Sequence, residues 1–169
     1  MKKLLILAMS AMMTLSMAGA AFAAESPATT PVKLTTKATA IDITVSEAVE
    51  INAEANTVTA TVTDYTVTNN NAVSFIKVDK IELKDGAAGW AKAAYDEAAF
   101  KALAANSNKY ALQAKVGAGE AHDMNADWAT VGNINHDETM TVKLSGLVTP
   151  VTTAVNATEI ASLIVTVSA

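Results

Sequence analysis

The sequence contains no cysteine and no arginine among its 169 residues. The absence of cysteine excludes a disulfide framework, a lipoprotein anchor, thiolate metal sites and thiol catalysis. The absence of arginine leaves 12 lysines against 17 carboxylates, which gives a formal net charge of −5. Nucleic acids and anionic membrane surfaces bind clustered positive charge. We therefore expect neither of them as a partner.

Familiar catalytic and metal-binding motifs are also missing. The chain has neither the G-x-S-x-G turn of serine hydrolases nor the H-E-x-x-H helix of zinc proteases. Its acidic segments lack the D-x-D-x-D-G spacing that gathers oxygen ligands around calcium. Paired carboxylates for sugar hydrolysis can be distant in sequence, but Glu50 and Glu82 alternate outward on predicted strands. We expect no cofactor and no enzymatic activity.

The first 23 residues have the pattern of an export signal. Lys2 and Lys3 precede an uncharged apolar run, Leu4 to Ala20, and a small-residue cleavage site, Ala21-Phe22-Ala23, follows. The run is short for a retained membrane helix, and no later stretch is apolar enough to insert after cleavage. We predict that residues 1–23 are removed. The mature protein is then secreted or held at the cell surface, or periplasmic if the source has an outer membrane.

Residues 24–39 are rich in alanine, threonine and proline and precede the predicted folded domain, residues 40–169. Pro27 and Pro31 interrupt regular structure, which favours a flexible N-terminal arm. The stretch Val32-Lys33-Leu34-Thr35 nevertheless alternates as a strand does. The arm is therefore either a flexible leader or a strand donated to the sheet edge of a neighbouring molecule.

Most of residues 40–169 shows the two-residue alternation of β-strands. Two strand-like arms, Thr57–Thr68 and Ala72–Leu83, flank Asn69-Asn70-Asn71 and predict a central hairpin. Apolar residues in the second arm change phase twice, between Phe75 and Ile76 and again between Val78 and Ile81. Side chains alternate strictly along a strand, so these slips indicate either bulges or a strand buried on both faces.

One segment departs from the β pattern. Eight alanines between Trp90 and Ala105, with Phe100 and Leu103 at helical spacing, predict one α-helix near residues 91–105. Asp96 has the side chain of a helix N-cap.

The later part of the chain is less regular. Residues 120–138 are interpreted as a long loop, and Gly146 with Pro150 as a turn after a strand at Thr139–Leu144. A final strand is predicted at Ile160–Val167. The chain thus has about seven or eight predicted strands and one predicted helix, which indicates a mostly β fold. The strand number and spacing predict a single antiparallel β-sandwich of immunoglobulin-like or jelly-roll-like type.

Two histidines lie near carboxylates and are candidate metal ligands, because imidazole and carboxylate both bind divalent ions. The candidates are His122, Asp123, His136 and Asp137, with Asp127 and Glu138 beside them. Their spacing matches no compact zinc motif, and neighbouring side chains on a strand point apart. A solvated loop is the alternative interpretation.

Exposed aromatic rings would provide a stacking surface for sugars. Trp90, Trp128 and Tyr95 are the candidates, with Tyr65 as a further one. Aromatic residues make up only 5% of the chain. Large aromatic side chains dominate core burial, so the alternative is that these rings fill the core.

The centre and the end of the chain carry a recognisable pattern. It consists of Thr66-Val67-Thr68-Asn69-Asn70-Asn71-Ala72-Val73, then Ile76-Lys77-Val78, and a final strand, Leu163-Ile164-Val165-Thr166-Val167. In this order of strand, asparagine-rich turn and strand, the chain resembles two groups of small exported bacterial β-sandwich proteins, the camelysin-type fibre subunits of biofilm matrices and the Trp-x-Leu surface domains. Trp90-Ala91-Lys92 and Trp128-Ala129-Thr130 lack the leucine of the Trp-x-Leu motif. The resemblance implies a non-enzymatic surface or matrix role with assembly by strand exchange.

These observations predict an exported structural or adhesive protein of the cell surface or extracellular matrix. Its expected partners are further copies of itself or other surface proteins. A carbohydrate-binding module that holds polysaccharide on its aromatic rings is the first alternative. A divalent-metal-binding exported protein is the second.

Overall fold

The computed structural model describes residues 10–13, 28–31, 41–86, 88–156 and 158–169. The chain divides into two compact units, Met1–Thr39 and Ala40–Ala169. In the first unit, strands β1 (Ser10–Met13) and β2 (Ala28–Pro31) pair antiparallel. The rest of the predicted signal and arm, including the candidate donor strand 32–35, lies outside the described residues.

The second unit is built mainly of β-strands, which confirms the predicted mostly β fold class. Its described residues form eleven strands and one short helix, α1 (Glu97–Lys101). The strands are β3 (Ile43–Val45), β4 (Ile51–Ala53), β5 (Thr59–Val62), β6 (Tyr65–Asn69), β7 (Ile76–Asp85), β8 (Ala91–Lys92), β9 (Lys109–Val116), β10 (His122–Asp123), β11 (Trp128–Ile134), β12 (Thr139–Val148) and β13 (Ala161–Ser168).

The larger sheet has eight strands and is organised around β12. β9 lies antiparallel along one side of β12, and β6 and β5 follow one another along its other side. β3 pairs with β6, β4 with β5, and the two-residue strands β10 and β8 with β9. The β8–β9 pair is parallel and the other pairs are antiparallel.

The smaller sheet has three antiparallel strands in the order β11-β7-β13. Thr166 of β13 pairs with Lys80, and Val167 pairs with Val78, so Asp79 is the extra residue of a β-bulge in β7. The bulge restores the phase, and Ile76, Val78, Ile81 and Leu83 are all buried. For the slip between Val78 and Ile81, the structure therefore confirms the bulge.

One cluster of buried side chains draws on both sheets. It includes Val67 and Tyr110 from the larger sheet and Val78 and Ile81 from the smaller one, each at most 1% exposed. The alternating apolar residues of β12 are buried, and those of β13 pack against the same cluster, as the alternation predicts. The apolar residues of the strand pattern therefore supply the core.

The predicted central hairpin is wrong. Its first arm is broken into β5 and β6, which pair with β12, whereas its second arm forms β7 in the other sheet. Asn69 thus ends β6, and Asn70 and Asn71 begin the connection between the two sheets. Val73 and Phe75, expected in the return strand, lie exposed in this connection. Local alternation predicts strands but does not specify their partners.

The predicted helix over residues 91–105 is mostly wrong, since α1 has five residues. Ala91 and Lys92 instead form β8, because their backbone pairs with Lys109 and Tyr110 of β9. Asp96 does cap the helix, accepting hydrogen bonds from the backbone N–H groups of Ala98 and Ala99. Tertiary pairing overrides the helix propensity of the alanines before Asp96.

The predicted loop over residues 120–138 and the predicted turn at Gly146 are also wrong. The first segment contains β10 and β11, whose polar and glycine-containing sequences hide the alternation. Gly146 lies inside β12, where a Cβ atom would stand only 2.6 Å from Cγ2 of Val62. The glycine therefore marks a close approach between strands.

Candidate functional site

The outer edge of β13 is the most distinctive surface of the second unit. Within residues 41–86, 88–156 and 158–169, β13 pairs only with β7 and ends the three-stranded sheet. Its eight residues, Ala161 to Ser168, include no charge, no proline and no glycine. Native edge strands are usually protected by shortness, charge, proline or a bulge. β13 itself has none of these features, and the bulge in its ladder with β7 lies in β7, at Asp79.

The other sheet edges of the second unit, within its described residues, are short or interrupted. β3 and β4 have three residues each, and β8 and β10 have two each. β11, the opposite edge of the smaller sheet, is interrupted between Ala129 and Gly132. Thr130 in this interruption has a φ of 56°, a left-handed conformation that breaks a regular ladder.

The backbone of β13 presents a regular row of polar groups at this edge. The N–H of Gly86 donates to the carbonyl of Ile160 at 2.8 Å, so the polar groups of Ile160 point towards β7. Backbone groups alternate in direction along a strand. The N–H and C=O groups of Ala161, Leu163, Val165 and Val167 therefore point away from β7.

The face of the smaller sheet beside this edge is charged. Lys80 donates to Glu82 Oε2 at 2.7 Å and to Asp127 Oδ2 at 3.3 Å, and Lys84 Nζ lies 3.5 Å from Glu82 Oε1. The hydrogen bond from Lys80 lowers the pKa of Glu82. The hydrogen bond to Glu82 raises the pKa of Lys80. The charged side chains of this face are thus paired with one another around β7. The neighbouring strand β13 carries no charged residue.

The predicted metal ligands are held in separate places. His122 stacks on Trp128, with ring centroids 5.5 Å apart, and its Nε2 lies 3.3 Å from the carbonyl oxygen of Ala126. His136 lies 3.5 Å from Asp137 at an exposed turn before β12. No group of three or more histidine, aspartate or glutamate side chains in the described residues could hold a metal ion. The metal-site prediction has no geometric support there.

The predicted aromatic residues do not form one exposed surface. Trp90 is buried, at 8% exposed, and Tyr65 is also part of the core. Asp123 accepts a hydrogen bond from the backbone N–H of Tyr95 at 2.9 Å, while the neighbouring His122 stacks on Trp128. The Tyr95 side chain packs against a separate, smaller core cluster, whereas Trp128 packs against the main cluster that both sheets share.

An open cleft of about 390 Å³ lies where β9 ends and β12 begins. Val116, Glu138, Met140 and Lys143 contribute to its lining. Glu138 already accepts a hydrogen bond from Asn135 at 2.9 Å. The cleft provides no arrangement of nucleophile, base and orienting group.

Buried Asn69 is a residue whose role the sequence alone did not reveal. Its side-chain amide donates to the carbonyls of Ser74 and Ile134 at 3.1 Å each. Its Oδ1 accepts from the N–H and the side-chain amide of Asn71 at 3.0 and 2.6 Å. The connection between the two sheets is therefore fixed by a buried side chain and does not depend on turn propensity alone.

Comparison with protein-family models, with curated proteins and with solved structures found no match. No helix in the described part of the chain is both long and apolar enough to cross a membrane.

Proposed function

We propose that this protein is an exported, non-enzymatic structural or adhesive component of a cell surface or extracellular matrix, and that it self-associates through a sheet edge. The observation that carries the proposal is the unprotected edge of β13. An exposed strand of this length and composition is a template for another strand. In a protein that coats or connects cells, such an edge is an assembly site.

The architecture that we propose for residues 40–169 is a β-sandwich. The support is the common core cluster, to which both sheets contribute buried side chains. The resemblance to camelysin-type fibre subunits and Trp-x-Leu surface domains belongs to the same proposal. A core without disulfides is consistent with an exported protein that depends on packing and on its neighbours for stability.

The sequence favours export and a surface role over the alternatives. Carbohydrate binding has weaker support, because Trp90 is buried and because Trp128 and Tyr95 pack against two different core clusters. Metal binding at His122 and His136 has weaker support, because the described residues do not assemble a ligand set around them. Enzymatic activity has no observation in its favour.

Fractionation of producing cells tests export and location. We expect a chain that begins at Ala24, is found outside the cytoplasm, is accessible to added protease, and is recovered in crosslinked oligomers. A protein that keeps residues 1–23 and remains in the cytoplasm would refute the proposal. A deletion strain with normal surface and matrix properties would argue against the structural role.

A further inference from the structure

We propose that β13 pairs antiparallel with β13 of a second copy, across a two-fold axis at Ile164. The inference rests on the proposed function and specifies the partner and register of the self-association. The two three-stranded sheets would join into one continuous sheet in the order β11-β7-β13-β13-β7-β11. A two-fold contact of this type uses the same surface on both copies.

The backbone of β13 fits this pairing. The outward-pointing residues are Ala161, Leu163, Val165 and Val167, from the hydrogen bond between Gly86 and Ile160. About the axis, Leu163 lies opposite Val165 of the second copy, and Ala161 lies opposite Val167. Both are hydrogen-bonded antiparallel pairs, and each exchanges two bonds. The two-fold axis repeats both pairs, so the interface has about eight backbone hydrogen bonds. The N–H and C=O groups of β13 that point away from β7 would thereby gain partners.

The side chains of β13 are self-complementary in the same register. Leu163, Val165 and Val167 pack against the core cluster, so the inward-facing pairs are apolar on both strands. On the opposite face, exposed Ser162 lies opposite Thr166 of the second copy. Cross-strand pairs of hydroxyl and of β-branched side chains stabilise sheets. Because β13 has no charged residue, the pairing places no like charges opposite each other.

Ile164 is the residue that selects this register. It is 38% exposed on the charged face of the smaller sheet, opposite Glu82. With the axis at Ile164 the two isoleucines face each other and cover their exposed apolar surface. A shift of the axis by one residue places each isoleucine against Ser162 or Thr166. Burial of apolar surface therefore favours the register centred on Ile164.

Disulfide crosslinking tests this register directly, because the native chain has no cysteine. In the proposed pairing, residue 164 faces its counterpart as a non-hydrogen-bonded pair with Cα atoms about 4.5 Å apart, within disulfide range. Residue 166 lies opposite residue 162 of the second copy. The two residues 166 are therefore four positions apart along the strands, and their Cα atoms are about 13 Å apart. We expect the processed Ile164→Cys protein to form a covalent dimer under mild oxidation, and the matched Thr166→Cys protein to remain monomeric in denaturing gels.

A charge substitution provides the second test. Ile164→Lys places the new ammonium group beside Glu82 within one copy, which is compatible with folding, but opposes two ammonium groups across the axis. We expect its dimer dissociation constant to rise at least about tenfold, as 1.4 kcal/mol would produce. Thr141→Lys adds the same charge at an exposed position of the central strand β12, and we expect this variant to associate as the native protein does.

The outcomes separate the register from the proposed function. A native protein that is monomeric at all concentrations overturns both. A native protein that associates, while Ile164→Cys fails to crosslink and Ile164→Lys associates normally, overturns the β13 pairing alone. If deletion of residues 24–39 then abolishes association, the N-terminal arm is the partner strand and the β13 register is wrong. Equal crosslinking of the Ile164→Cys and Thr166→Cys proteins also contradicts the register.

Discussion

Asn69 is fully buried, and its side-chain amide uses both donors and both acceptor sites. Asn69→Ala leaves the carbonyls of Ser74 and Ile134 without these donors. We expect a loss of about 2–4 kcal/mol in the free energy of unfolding, since each orphaned buried group costs roughly 1–3 kcal/mol.

Asn70→Ala is the matched control for this prediction. Asn70 is exposed, and its amide donates to Asp42 and Thr44 at the surface, so we expect a loss below about 1 kcal/mol. Urea denaturation of both variants gives the comparison. Equal losses would mean that the buried amide network is not what fixes the connection.

Tyr110 predicts how the protein responds to alkaline pH. Its side chain is buried and its hydroxyl donates to Asp85 Oδ1 at 2.7 Å. Burial, and secondarily the bond to Asp85, raise the pKa of Tyr110 above its ordinary value. The folded state therefore favours the neutral phenol. Its contribution to stability is fully present below the unfolded pKa of about 10 and is lost as pH rises from there through the folded pKa.

Ultraviolet titration of the tyrosines measures this shift. Burial also raises the pKa of Tyr65 and of Tyr95, so we expect little native tyrosinate at pH 10. Tyr110→Phe should remove the step at the highest pH. If the substitution instead removes a step near pH 10, Tyr110 is not held in its neutral form.

Packing between neighbouring strands is tested at Gly146 of β12. Gly146→Ala places a methyl group 2.6 Å from Cγ2 of Val62. We expect a destabilisation of about 1–3 kcal/mol from overpacking. Removing the opposing methyl groups with Val62→Ala should make the double variant more stable than the sum of the single changes predicts. Strict additivity of the unfolding free energies would contradict a direct clash.

At the scale of elements, the sequence predicted strands better than it predicted their arrangement. The alternation in β12 and β13 is strong because one face of each packs on the core. The phase slip between Val78 and Ile81 left a bulge and a strand buried on both faces open, and only the strand register shows the bulge at Asp79. β10 and β11 were missed because polar and glycine residues weaken their alternation. The hairpin was wrongly predicted because β6 and β7 pair with strands distant in the sequence.

The candidate site was less accessible to sequence reasoning than the strands were. The composition of β13 shows that it lacks charge and proline, but only the sheet order shows that no strand among the described residues pairs with its outer edge. The side-chain candidates were chosen for chemical type, whereas the edge consists of backbone groups. Trp90 illustrates the difference, because a tryptophan in the sequence has the same chemistry whether it is buried or exposed.

For the whole molecule, net charge bears on association. The predicted processed chain retains 12 − 2 = 10 lysines and 17 carboxylates, a net charge of 10 − 17 = −7. Two copies repel each other at long range, while β13 itself is uncharged. We expect moderate salt to strengthen self-association, as measured by sedimentation at low and moderate ionic strength. Weaker association in salt would indicate a contact made by ion pairs.

The central claim is self-association, and the solution mass of the processed protein, residues 24–169, tests it most directly. Light scattering over a wide concentration range should show a mass that rises from that of one chain to at least that of two. A mass equal to one chain at every concentration and at both ionic strengths would contradict the account.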